Sequence, residues 1–125
     1  MAQFEPQPWQ DDAKSYMDCH DWAGAIPIPE RDIIEHPSDP WSRMLLGSCC
    51  LELKQFDRAL EQFRAAEALA PDLSTPVGCQ GDVLCATGDW EAAGQFYRRA
   101  LEMDPSDELA IKNWKWWTSE MAKET

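Results

Sequence analysis

The fold of this chain is decided by residues 40–73, which read PWSRMLLGSCCLELKQFDRALEQFRAAEALAPDL. The next stretch, residues 74–107, reads STPVGCQGDVLCATGDWEAAGQFYRRALEMDPSD. The two stretches align at a constant offset of 34 residues, which is the period of a helix–turn–helix repeat. The aligned pairs are Leu45/Cys79, Gly47/Gly81, Phe56/Trp90, Ala59/Ala93, Phe63/Tyr97, Ala66/Ala100 and Pro71/Pro105.

These small, aromatic and proline positions, together with Leu46-Gly47 and Gly88-Asp89-Trp90, make the chain resemble the tetratricopeptide repeat family. The resemblance implies an all-α fold, a right-handed α–α superhelix of about three helix hairpins closed by a C-terminal capping helix. Carried along the chain, it implies one domain spanning residues 1–125. Its units are residues 6–39, 40–73 and 74–107, followed by a capping helix over residues 107–123.

Local signals place the helices of the two good units. Asp39 can cap a helix that begins at Pro40, and Gly88 is a left-handed stop. The predicted helices span residues 40–53, 57–69, 75–86, 90–103 and 107–123. On the last helix, Trp114 and Trp117 are three residues apart and share a face, so we expect them to pack on the preceding repeat.

A divergent unit precedes the good ones, because one period earlier the motif is matched by Trp22, Ala25 and Pro37. Here Pro29 replaces the aromatic residue and Asp32 replaces the small residue that would let the two helices close. Since a proline inside a helix costs about 3 kcal/mol or more, we expect residues 26–28 to be extended and a short helix to run from Pro29 to Glu35. The segment is either a degenerate end repeat or a hinge that lets the first helix move or swap into a second molecule.

Composition limits the functions open to the chain. Its 23 acidic and 11 basic residues give a net charge of -12, which disfavours nucleic-acid binding. Nine of the acidic residues lie within residues 1–39. They form either a solvated acidic face or a binding surface for a basic partner. There is no basic segment followed by an apolar run, and no stretch of roughly 18 apolar residues. We therefore expect a cytoplasmic protein that does not bind membranes.

The five cysteines and the polar residues show no catalytic or metal-binding pattern. Zinc ligands usually arrive as Cys-x2-4-Cys pairs, and none is present, so buried reduced thiols are the expectation and a redox or metal sensor is a distant alternative. Cys19 and His20 are neighbours, which point about 100° apart on a helix and so do not form a nucleophile–base pair. We expect no enzymatic activity, no cofactor and no metal.

The resemblance also implies a binding surface, because the first helix of each tetratricopeptide unit lines the concave groove. The positions that match are Gln10, Lys14 and Met17 in the first unit, Trp41, Met44, Ser48 and Leu51 in the second, Thr75, Gly78, Asp82 and Cys85 in the third, and Leu109, Lys112 and Trp116 in the last helix. This lining is largely apolar, although Met and Trp at helical spacing also occur in helix–helix cores.

Some family members clamp the terminal carboxylate of heat-shock chaperones with two Lys, two Asn and one Arg. The matching positions here are Gln10, Lys14, Leu45, Thr75 and Cys79. Only Lys14 is a cation and no Asn is present, so a clamp of this kind is not expected. An apolar groove on an acidic three-repeat body instead resembles the small bacterial secretion chaperones that hold extended hydrophobic segments.

The sequence therefore predicts a non-enzymatic protein-interaction module, scaffold-like or chaperone-like, that binds a peptide or protein segment in its groove. The alternative is a self-association module. In that case the divergent N-terminal unit or the Trp-rich last helix packs against another copy to form a homodimer.

Overall fold

The computed structural model describes residues 21–123, and all regular structure within this range is helical. The helices are α1 (Trp22–Ala25), α2 (Pro27–Glu35), α3 (Pro40–Glu52), α4 (Phe56–Leu69), α5 (Thr75–Thr87), α6 (Trp90–Met103) and α7 (Glu108–Ala122). The pairs α3–α4 and α5–α6 form hairpins, α4 packs on α5, and α7 packs on both helices of the second hairpin. The predicted helices from α3 to α7 are confirmed to within one residue at each end.

Short polar side chains and left-handed residues set the ends of these helices. Asp39 accepts a hydrogen bond from the Trp41 amide at 2.9 Å, so α3 begins at the predicted cap. Gly88 ends α5 with a φ of 89°, as predicted. One period earlier, Lys54 has a φ of 62° at the same place between α3 and α4. A lysine in this conformation carries strain that a glycine does not.

Each hairpin is closed by an aromatic ring that lies on a glycine of the partner helix. A Cβ atom added at Gly47 would lie 2.8 Å from Cε1 of Phe63, and one added at Gly81 would lie 2.7 Å from Cε1 of Tyr97. Ala59 is fully buried beside Phe63 in the first hairpin. The small and aromatic positions of the repeat therefore correspond to direct helix–helix contacts.

Apolar clusters continue from one unit to the next. In the first cluster, Leu46, Cys50 and Phe63 of the first hairpin pack with Val83 of α5. In the second, Val77 of α5 packs with Ala100 of α6 and Ala110 of α7. Stacking of successive units thus buries a continuous core, as in other repeat proteins.

A polar contact also joins the two hairpins. Glu67 of α4 accepts a hydrogen bond from Nε2 of Gln80 at 2.7 Å and forms an ion pair with Arg99 of α6. Gln80 is 2% exposed, and its amide nitrogen also donates to the Pro76 carbonyl at 3.2 Å. The buried amide is satisfied, and one carboxylate connects three successive helices.

The prediction that residues 26–28 are extended is wrong. Ile26 has helical dihedral angles (φ -55°, ψ -45°), and α2 begins at Pro27. Both Pro27 and Pro29 lie in the first turn of α2, where backbone N–H groups have no intrahelical partner, so neither proline breaks a hydrogen bond of that helix. The helix that the prolines follow, α1, is short and ends after four residues.

Asp32 joins α2 to α3, and the first helix of its own unit, which the prediction about Asp32 concerned, lies outside the described residues. Asp32 is 4% exposed and accepts a hydrogen bond from the Ser42 hydroxyl of α3. The Ser42 oxygen also lies 3.1 Å from a carboxylate oxygen of Asp39. Asp32 stands at the repeat position that Ala66 and Ala100 occupy in the good units. At this position the N-terminal unit has a polar contact between α2 and α3.

The last helix is anchored by tryptophan, as predicted. Trp117 donates from Nε1 to the Trp90 carbonyl at 2.8 Å, and its ring occupies the space where Gly94 has no side chain. Trp114 stacks on Trp117 with ring centroids 5.3 Å apart. A hydrogen bond and close ring packing therefore fix α7 on the preceding repeat.

Candidate functional site

The candidate site is the surface formed by the first helix of each unit. Helix α3 contacts α5, and α5 contacts α7. Because the predicted groove positions recur with the period of the repeat, they occupy equivalent places on these adjacent helices. Gln10, Lys14 and Met17 lie outside the described residues.

The predicted groove residues differ in exposure along the array. On α3, Met44 is only 7% exposed, and Gly78 on α5 is also buried. The half-buried positions are Trp41, Ser48, Leu51, Thr75, Asp82 and Cys85. Lys112 is exposed, as are Leu109 at 48% and Trp116 at 44%. Among the described groove positions, the most exposed apolar side chains are therefore Leu109 and Trp116 on α7.

Trp116 is held in place despite its exposure. Its ring centroid lies 5.7 Å from that of Trp90, with the two planes tilted by 38°. Such a tilted arrangement is a favourable one for two indoles. The contact limits the motion of a large apolar side chain, which lowers the entropy that a partner's binding would cost.

A polar cluster lies in the third unit. Tyr97 donates a hydrogen bond to Oδ1 of Asp82 at 2.5 Å, and the Cys85 sulfur lies 3.5 Å from the Tyr97 oxygen. Burial raises the pKa of Asp82, and the hydrogen bond from Tyr97 acts against that shift. Burial, and then the bond to Asp82, also raises the pKa of Tyr97. This pairing could not be predicted from the sequence, because the two residues are on different helices.

The thiols of the described cysteines are groups of low reactivity, buried at Cys49 and Cys50 and half-buried at Cys79 and Cys85. Burial raises the pKa of Cys49 to about 11 and that of Cys79 to about 12. The pKa values of Cys50 and Cys85 are raised by the same cause. Since the thiolate is the nucleophile and the metal-binding form, these side chains act as small apolar groups near neutral pH.

Within residues 21–123, no group of three or more His, Cys, Asp or Glu side chains is arranged to hold a metal ion. No helix in the same range has the length and hydrophobicity needed to cross a bilayer.

A second feature, not predicted from the sequence, lies on another side of α3. Arg43 and Arg58 line a cavity beside Ile34, an isoleucine that is 81% exposed. These residues fall between the motif positions of the repeat, so the period carries no information about them.

Solved structures with this architecture are tetratricopeptide repeat domains. The first such domain of Spaghetti (RPAP3), bound to the HSP90 peptide SRMEEVD, is 21% identical with a TM-score of 0.78, and the match covers 91% of this chain and 90% of that one. The second domain of human RPAP3, in complex with the HSP70 peptide SGPTIEEVD, is 15% identical with a TM-score of 0.76, covering 88% and 92%. The Sgt2 domain from Aspergillus fumigatus is 14% identical with a TM-score of 0.81, covering 95% and 83%.

The sequence comparisons agree with the structural ones. Sequence models of the tetratricopeptide repeat match residues 12–74, just over half of the chain, and residues 80–109. No curated protein sequence matches the chain. The protein belongs to the tetratricopeptide repeat family, and its fold is the all-α superhelix of that family.

Proposed function

We propose that this protein is a non-enzymatic interaction module that binds an extended segment of a partner protein on the surface formed by α3, α5 and α7. One observation carries the proposal: Leu109 and Trp116 on α7 are exposed apolar side chains at predicted groove positions, on a helix that contacts the groove-bearing α5. Large aromatic side chains of this kind supply much of the binding energy at protein interfaces.

The chemistry of this surface favours an apolar segment. Among the predicted groove positions within residues 21–123, Asp82 and Lys112 are the charged ones, and they have opposite signs. The two RPAP3 domains above are bound to peptides that end in EEVD. In this chain, Leu45, Thr75 and Cys79 stand at three of the expected clamp positions and bring no positive charge. We therefore propose a scaffold-like or chaperone-like role toward apolar segments.

The experiment starts with selection from a random peptide library on the wild-type protein, and the affinity of an enriched peptide is then measured by fluorescence anisotropy. The groove variant is Leu109→Ser with Trp116→Ala. The control is Leu69→Ser, which alters a 39% exposed leucine at the end of α4. The groove variant should bind at least about tenfold more weakly, because it removes an aromatic anchor, whereas the control should bind as the wild type does.

Equal affinity for the groove variant and the wild type would contradict the proposal. The peptides SRMEEVD and SGPTIEEVD serve as further probes. They should bind more weakly than the enriched peptide, because the clamp positions of α3 and α5 do not supply cations for their carboxylates. Tighter binding of either peptide would show that the groove prefers acidic tails.

Self-association is the second candidate function, and the same exposed side chains of α7 favour it. A second copy could cover Leu109 and Trp116 in place of a partner segment. Light scattering at high protein concentration separates the two functions. A dimer that dissociates in the Leu109→Ser/Trp116→Ala variant would support self-association, and a monomer at every concentration would exclude it.

A further inference from the structure

A cavity of about 270 Å³ lies where α2, α3 and α4 meet. Its lining includes Glu30, Ile33 and Ile34 of α2, Arg43 of α3, and Arg58 and Gln62 of α4. At about 100° per residue, Arg43 is about 100° round the helix from Met44 and about 140° from Ser48, which are predicted groove positions. The cavity is therefore on a different side of α3 from the proposed groove.

Within residues 21–123, one positive charge of the cavity has no ion-pair partner. Arg58 is paired, since its Nη2 lies 2.9 Å from Oε2 of Glu30. Arg43 donates from Nη1 to Gln62 at the long distance of 3.4 Å, and its buried Nε has no hydrogen-bond acceptor within the described chain. Two guanidinium groups thus face one carboxylate, in a protein whose net charge is -12.

The wall of the cavity on the α2 side is apolar. Ile33 is half-buried, and Ile34 is 81% exposed at the edge. An exposed isoleucine next to an unpaired guanidinium is complementary to a segment that carries a carboxylate beside an apolar side chain. Arginine is well suited to such a ligand, because its planar N–H groups can bind both oxygens of a carboxylate.

We propose that this cavity is a second binding site, which takes an aspartate or glutamate side chain of a partner protein while an adjacent apolar side chain of that partner covers Ile34. Arg43 donates to the bound carboxylate, and Arg58 keeps its pairing with Glu30. The site is independent of the groove, so one partner could be held at both places or two partners could be held at once.

The test uses a capped peptide, acetyl-Ser-Leu-Glu-Leu-Ser-amide, and its Gln counterpart as probes. Binding is followed by ¹⁵N NMR, through the Nε–Hε signal of Arg43 and the backbone amides of α2 to α4. The Glu peptide should shift the Arg43 signal and bind at least about tenfold more tightly than the Gln peptide, as expected for a hydrogen bond to a charged group.

Three variants sharpen the test. Arg43→Gln should weaken binding of the Glu peptide at least about tenfold, whereas Arg64→Gln, which removes an exposed charge from α4, should not. Ile34→Ser changes an exposed side chain, so the fold is retained and binding should fall a few-fold if the apolar contact forms. Circular dichroism melts check that each variant is folded.

The proposal is overturned if the Glu and Gln peptides bind equally, if the Arg43 signal does not move, or if Arg64→Gln loses as much affinity as Arg43→Gln.

Sodium acetate is the further probe, and binding as tight as that of the peptide would show an anion site without a protein partner. The groove variant Leu109→Ser/Trp116→Ala should bind the Glu peptide normally. Loss of binding there would place the peptide in the groove instead.

Discussion

Replacing Gly81 with alanine should destabilise the protein, whereas replacing Gly78, three residues earlier on α5, should stabilise it. A methyl group at Gly81 would lie 2.7 Å and 2.8 Å from two carbons of the Tyr97 ring and 3.2 Å from the Ala93 carbonyl oxygen. The ring cannot move away easily, because the Tyr97 hydroxyl is bonded to Asp82 at 2.5 Å. At Gly78 the nearest atoms, on Ala100 and Asn113, are 3.8 Å away.

The magnitudes follow from two opposing effects. In both variants, alanine in place of a mid-helix glycine gains about 0.5–1 kcal/mol. At Gly81, overpacking costs about 1–3 kcal/mol, and a displaced hydrogen bond to the Asp82 carboxylate adds about 1.5 kcal/mol. The net result is a destabilisation of about 1.5–4 kcal/mol at Gly81 and a stabilisation of about 0.5–1 kcal/mol at Gly78.

Urea unfolding followed by circular dichroism measures both changes, and thermal melts should shift by about 4 °C per kcal/mol. The two variants differ only in which glycine of one helix gains a methyl group. If Gly81→Ala were as stable as the wild type, Tyr97 would not lie against α5 as described. If Gly78→Ala lowered the free energy of unfolding as much as Gly81→Ala does, the space around each glycine would not determine the effect of the added methyl group.

Three further predictions can be checked by the same measurements. Ala93→Leu places a large side chain at a fully buried position and should cost about 1–3 kcal/mol, while the exposed Glu61→Gln should change little. Lys54→Gly relieves a left-handed backbone and should gain about 0.5–1 kcal/mol, and an unchanged midpoint would show that Lys54 is not strained. The pKa of Cys79 rises from about 9 to about 12 on folding, so the folded state holds its proton more tightly and stability should fall between pH 9 and pH 12. Cys79→Ala should show a shallower fall.

The good repeats could be predicted from the sequence because their signals are local or periodic. Gly88 marks a left-handed stop by itself, and the offset of 34 residues identifies Phe63 and Tyr97 as equivalent packing positions. The N-terminal unit could not be predicted in the same way. The effect of a proline depends on where a helix begins, and the sequence alone left open whether α2 begins at Pro27 or at Pro29.

The exposure of the candidate groove residues could not be predicted from the sequence. The period gives the register of Met44 and Trp116, but only the packing of neighbouring helices makes the first 7% and the second 44% exposed. The cavity beside Arg43 had no sequence signal, because residues from α2, α3 and α4 meet there without a common spacing. Contacts between residues far apart in the chain require the structure.

Glu67 of α4 contacts side chains on α5 and α6. Unfolding of the first hairpin therefore removes contacts from the second hairpin as well. If α4 unfolds, Arg99 loses its ion-pair partner and Gln80 loses its 2.7 Å hydrogen bond. A hydrogen bond from an amide to a charged carboxylate contributes about 1.5–3 kcal/mol. A boundary between folded and unfolded chain is therefore unfavourable between α4 and α5. Fraying that starts at either end of the array should pass this point in one step, so that α3 to α6 unfold as a single cooperative block.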